Sequence, residues 1–119
     1  MKLRNVLVVY TKPRKNPEKV TLNLIQKILK KNKINYKIVL REKLNKKLFE
    51  NKDLILVVGG DGTFLMASHF VFDKTLMFGV NADPSCKEGF FMSADKDDFE
   101  KKFNKIRKNK FKVKKLYRL

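Results

Sequence analysis

The stretch Gly59-Gly60-Asp61-Gly62-Thr63 holds the residue types of this chain that could carry a reaction. Glycines turn through positive φ and let backbone approach a ligand closely. Successive amides in such a turn can converge on phosphate oxygens. A carboxylate repels phosphate, so Asp61 at the centre needs another task. It can accept the proton of an attacking hydroxyl, or help hold a cation that neutralises phosphate charge. Thr63 can cap the helix that follows or offer its hydroxyl. The chemistry suggested is phosphoryl transfer to a hydroxyl. An isolated Gly-Asp-Gly is equally well explained as a capped tight turn. The two leading glycines, the strand before and the threonine after set this one apart. No Gly-Lys-Ser/Thr follows, so it is not a Walker loop, and it lacks the dinucleotide-binding glycine spacing.

The flanking sequence supplies the elements that must position these residues. Leu54 to Val58 is apolar and β-branched and reads as a buried parallel strand, and Phe64 to Phe70 reads as the start of a helix. Upstream, Val6 to Tyr10 reads as a first strand, followed by a basic loop, 11–16, with Lys12, Arg14 and Lys15. Asn16-Pro17 suggests an N-cap with proline at the first helical position. Val20, Leu24, Ile25, Ile28 and Leu29 define its buried stripe. Asn35 sits in a turn before a strand from Tyr36 to Leu40, and Leu44, Leu48 and Phe49 suggest a short helix. Leu76 to Val80 is a fourth strand, and Asn81 to Ser93 reads as a loop. Asp95 caps a helix with Phe99, Phe103 and Ile106 on one face, acids in its first turns and bases near its end. Phe111 to Leu119 reads as a further strand. Strands alternating with helices predict the α/β class, a parallel sheet with helices on its faces.

A chain of 119 residues with 43% apolar content is enough for one domain and one core. No apolar run is long enough to span a bilayer, so no membrane partner is expected. The first residues enter a strand at once, leaving no room for a leader, and a cytoplasmic location is expected. The single cysteine, Cys86, excludes an internal disulfide and cannot alone build a thiolate metal site. His69, the one histidine, with Asp73 four residues on, reads as a helix-edge residue and not a metal ligand. Lys and Arg number 29 against 12 Asp and Glu, a formal charge of +17. Such a field attracts nucleotides, polyphosphate, nucleic acid or an acidic chain and does not choose among them. Phe70, Phe72, Phe99 and Phe103 read as core.

The Gly59 to Thr63 stretch, with Phe64-Leu65 behind it, resembles the signature of the NAD kinase family. Leu76-Met77-Phe78-Gly79-Val80-Asn81 resembles the family's strand ending in Gly-Val-Asn or Gly-Ile-Asn. Asp83-Pro84 with Glu88-Gly89 resembles a loop of its mitochondrial-type branch, and Gly89-Phe90-Phe91 a bacterial Gly-Phe-Leu or Gly-Phe-Tyr element. Lys110 to Val113 and Leu116 to Leu119 resemble the strand leading into the family's second domain.

The resemblance implies a Rossmann-like parallel sheet flanked by helices, the N-terminal domain of a two-domain kinase. Residues 1–110 would form it, and 111–119 would lead toward a β-rich second domain. It implies phosphorylation of the 2′-hydroxyl of NAD's adenosine ribose to give NADP. ATP or polyphosphate would be the donor, with a divalent metal, magnesium being the expected one. The catalytic role falls on Asp61 as proton acceptor. Gly62 would contact the dinucleotide, and Gly59, Gly60 and Thr63 would shape or line the phosphate pocket. Asn81 would close the strand end, and Phe90 would pack near adenine. Arg14 and Lys15 would be the residues to meet donor phosphates.

The family's second domain carries an Asn-Glu or Asn-Asp pair and a Gly/Ser/Thr-rich motif, neither of which is in these residues. Activity is therefore expected to need that domain, in cis or on a separate chain, and an oligomer is expected when complete. Lipid kinases of the diacylglycerol and sphingosine type share the five-residue motif, and phosphofructokinases carry a close version. The Gly79-Val80-Asn81 and Asp83-Pro84 blocks favour NAD kinase. A basic nucleic-acid-binding module is the alternative of a different class, though no recognised nucleic-acid motif is present.

Overall fold

A computed structural model describes residues 3–71, 75–83 and 92–108. Five strands form one sheet: β1 (Asn5–Tyr10), β2 (Asn35–Leu40), β3 (Leu54–Gly59), β4 (Leu76–Asn81) and β5 (Met92–Ala94). Their spatial order is β2-β1-β3-β4-β5, and every pairing is parallel. Three helices accompany them: α1 (Asn16–Lys31), α2 (Asp61–Ser68) and α3 (Phe99–Arg107). This is the α/β arrangement that the alternation of elements predicts.

The pleat divides the core into two layers. Val6 and Val8 of β1 and Leu54, Leu56 and Val58 of β3 face α1 and α3, where Ile25, Leu29, Phe99 and Phe103 pack against them. Leu7, Val9, Ile55 and Val57 face the opposite side, toward Phe64 and Ala67 of α2 and toward Phe49. The central strands are thus buried on both faces, which explains their unbroken apolar runs. Phe99 and Phe103 are core residues as expected, stacked on each other with centroids 5.4 Å apart. Phe70 stacks on Phe49 at 5.3 Å.

At the N-terminal edge of the sheet, the Asp53 carboxylate accepts from the backbone amides of Arg4 and Asn5 at 2.8 and 2.9 Å. The Asp53 amide donates to the Asn5 carbonyl at 2.9 Å. β1 and β3 are therefore fastened where they start, and their register then runs Val6 to Leu54 through Tyr10 to Val58.

Several local expectations change. The N-cap of α1 is Lys15, not Asn16. The cap is supplied from within the first turn, because Glu18 Oε1 accepts from the amides of Arg14 and Lys15 at 2.9 and 2.8 Å. Val20 is 42% exposed, and Thr21 and Leu22 take its place in the buried stripe. Asn35 belongs to β2, and two short 3₁₀ turns, Arg41–Lys43 and Lys46–Phe49, replace the short helix. The segment read as a loop runs into β5, which begins at Met92 and pairs with β4. Asp95 holds a turn ahead of α3, its Oδ1 accepting from the amides of Asp97 and Asp98. The expected 111–119 strand, Phe72 and Cys86 lie outside the described residues.

Candidate active site

Because all strands run the same way, their C-terminal ends share one edge of the sheet. The order 2-1-3-4-5 reverses direction between β1 and β3, and ligands of such open sheets bind in the crevice outside that switch point. Gly59 closes β3 there, Gly60 is the N-cap of α2, and Asp61 is the first residue of the helix. The helix starts three residues before the sequence suggests. Asp61 therefore belongs to the first turn, where the helix dipole favours an anion. It is half-buried and lies between two exposed glycines.

The glycines work differently from expectation. None of the described ones has positive φ. Gly60, at φ −129° and ψ −173°, is in extended backbone open to any residue. Their shared value is the missing side chain. A Cβ on Gly59 would lie 2.9 Å from Thr11 Oγ1 and 3.3 Å from Thr63 Oγ1, so Gly59 is required for the turn to close. A Cβ on Gly60 or Gly62 would meet nothing within 4 Å. The space on both sides of Asp61 is open.

Thr63 is 2% exposed and does not cap the helix; it is the third residue of α2. Its Oγ1 lies 2.6 Å from Thr11 Oγ1 and accepts from Arg41 Nη1 at 3.2 Å. Thr11 follows β1 and Arg41 follows β2, so three consecutive strands of the sheet deliver residues to one buried hydroxyl. Neither Thr11 nor Arg41 stands out in the sequence as a site residue. In a chain this rich in bases, one arginine after a strand carries no local signal.

Asn81 ends β4 and pairs in register with Gly59, which places it beside the turn. Its Oδ1 accepts from the Asp83 amide at 3.1 Å. The Ala82 amide donates to the Gly59 carbonyl at 3.1 Å. Thr21, fully buried in α1, reaches the Ala82 carbonyl at 3.0 Å. Lys15 Nζ stands 3.5 Å from Asp83 Oδ2 across the same edge, and Arg14 is exposed nearby in sequence. Asp61, Gly59, Gly60, Gly62, Thr63 and Asn81 are thus gathered on one edge. Phe90 lies outside the described residues. Among the described residues no group of three or more His, Cys, Asp or Glu side chains is placed to hold a metal ion. No described helix is long and apolar enough to cross a membrane.

No family model matches the chain. A probable NADH kinase of Oryza sativa subsp. japonica is 37% identical over 79 residues, which cover 66% of this chain and 24% of that protein. An NADH kinase of Arabidopsis thaliana is 37% identical over 76 residues, covering 64% and 24%. The crystal structure of an NAD kinase from Archaeoglobus fulgidus in complex with ATP superposes with a TM-score of 0.68 at 25% identity. That match covers 88% of this chain and 37% of the archaeal one. The chain spans about a quarter of the length of the curated relatives it matches.

Proposed function

We propose, for a chain that belongs to the NAD kinase family as its N-terminal part, that the switch-point edge phosphorylates the 2′-hydroxyl of the adenosine ribose of NAD or NADH. The observation that carries this reading is the open space on either side of Asp61 at the C-terminal edge of a doubly wound sheet. A half-exposed carboxylate between two residues without side chains can be reached by a sugar hydroxyl. The relatives bear the names NADH kinase and NAD kinase, and the reacting hydroxyl is the same in both redox states of the dinucleotide. ATP is the donor favoured by the archaeal complex.

In this mechanism the ribose oxygen attacks the terminal phosphorus of ATP. The bond to the bridging oxygen breaks, ADP leaves, and the hydroxyl proton passes to the Asp61 carboxylate. Backbone amides of the 59–63 turn and the N-terminus of α2 stabilise the charge on the transferring group. Gly62 lets the dinucleotide approach the first turn, and Asn81 lines the pocket from the end of β4. The described residues form no group of three metal ligands, so a magnesium ion would arrive on the nucleotide phosphates, and Asp61 is the carboxylate of the motif that would help hold it. Such an ion, when bound, neutralises phosphate charge. The rest of the site would come from the remaining length of the family fold, on the same or a partner polypeptide.

The test is NADP(H) formation from ATP by the full polypeptide, with its partner chain if it has one. Replacing Asp61 with Asn should lower turnover about 10²- to 10⁴-fold with nucleotide binding kept. Unchanged turnover would remove Asp61 from the base role, and no transfer by the wild-type protein would remove the reading itself.

A further inference from the structure

We infer that Thr11 is a nucleotide-binding hydroxyl at the switch point, and that Arg41 is the positioning residue that orients it through Thr63. The inference rests on the kinase reading and adds to it two residues outside the glycine-aspartate motif.

The hydrogen-bond accounting runs in one direction. A guanidinium has donors and no acceptor, so Thr63 Oγ1 must accept from Arg41 at 3.2 Å. Thr63 is 2% exposed, and its own proton needs an acceptor inside the protein. Among the described residues the oxygen within reach is Thr11 Oγ1, at 2.6 Å. Thr63 therefore donates to Thr11. Once Thr11 accepts that bond, its own proton is left to donate elsewhere. Thr11 is only half-buried, lies one residue past the end of β1 and directly precedes the exposed bases Lys12, Arg14 and Lys15. A hydroxyl with an outward proton in a basic loop suits an acceptor with negative charge, and a phosphate oxygen of a nucleotide is that kind of acceptor.

The guanidinium reinforces this orientation: donating to Thr63 Oγ1, it directs the Thr63 proton away from itself and toward Thr11, and without that charge the two hydroxyl orientations of the pair lie closer in energy. Arg41 is itself held: its Nε lies 3.7 Å from Glu42 Oε1, and the Arg41–Lys43 turn adjoins α2.

The experiment measures ATP and NAD affinity by calorimetry, with the melting temperature alongside, in the full polypeptide and any partner chain. Thr11→Val should weaken binding of one or both nucleotides about tenfold or more, and Thr11→Ser should retain it. Arg41→Met should weaken the same nucleotide, with Arg41→Lys recovering part of the loss. The Thr11→Val/Arg41→Met double variant should bind no worse than Thr11→Val alone, because both changes remove one donor. A purely structural Arg41 would instead lower affinity only in step with stability and add to the Thr11 effect. Wild-type affinity in Thr11→Val, or additive losses, would overturn the proposal while leaving the kinase reading intact. Failure of the wild type to bind either nucleotide would overturn both. Should Arg41→Met not fold, the Thr11→Val, Thr11→Ser and Arg41→Lys series decides: equal affinity in all three overturns it.

Discussion

The side-chain hydroxyl of Thr21 lies 3.0 Å from the carbonyl of Ala82, sixty-one residues away in sequence, and 2.9 Å from the carbonyl of Pro17 in its own helix. One proton faces two acceptors, so the longer-range contact competes with a local one. Thr21 is fully buried and Ala82 nearly so, and water is a poor substitute for either partner. The bond joins α1 to the residue beside Asn81 and so ties the first helix to the edge that carries the site.

Thr21→Val keeps the shape of the side chain and removes the donor. It should cost about 1–3 kcal/mol, the range for leaving a buried carbonyl unsatisfied. Thr21→Ser should cost less, because the hydroxyl survives. Urea denaturation compares the two, and equal midpoints for Val and wild type would mean that the Ala82 carbonyl does not depend on Thr21.

Gly59 and Gly62 should respond oppositely to alanine. At Gly59 the new Cβ would meet Thr11 Oγ1 at 2.9 Å, and the resulting overpacking should destabilise by about 1–3 kcal/mol. At Gly62, inside α2, nothing lies within 4 Å, and alanine should stabilise the helix by up to about 1 kcal/mol. If the open space serves a dinucleotide, Gly62→Ala gains melting temperature while losing NAD affinity. Melting curves and calorimetry on the same samples separate the two effects.

Asp98 gives the acid limb of stability a defined contributor. Burial pushes its carboxyl up, but the amide of Asp95 and the Lys102 ammonium at 2.9 Å outweigh that, and its pKa lies below the ordinary 3.8. A carboxyl held low in the folded state stabilises at pH values above its unfolded pKa, and that contribution fades as pH falls through the folded value. The group is 40% exposed, so solvent screening keeps the effect small. Asp98→Asn should lower stability slightly at neutral pH and flatten its decline below about pH 4. Denaturation midpoints from pH 2 to 7 would show it, and parallel curves for variant and wild type would count against it.

The parts of this protein readable from its sequence are those where neighbours in the chain decide the outcome. Leu54 to Val58 is buried on both faces and shows it as an unbroken apolar run. Asp61 announces itself between glycines. Helical spacing puts Val20 in the buried stripe because it counts a threonine as polar, whereas Thr21 enters the core on the strength of the Ala82 carbonyl. β5 is a three-residue edge strand, too short for any alternation to register. Arg41 and Thr11 carry no local signal because their meaning lies in Thr63, 22 and 52 residues away. Such contacts are set by strand order, and periodicity does not encode which strand lies beside which.

The clasp that Asp53 makes with Arg4 and Asn5 sits at the far end of the sheet from the site. It acts nonetheless as the datum from which two neighbouring ribbons are measured off. Starting level, they finish level, and Thr11, just past the first, comes to lie against Thr63 in the helix that follows the second. Inserting a single amino acid into the first ribbon just past the clasp would swap the layers its valines belong to and carry the threonine past its mate. The geometry of the candidate site is thus partly decided at the opposite pole, by a carboxylate that stands well away from it.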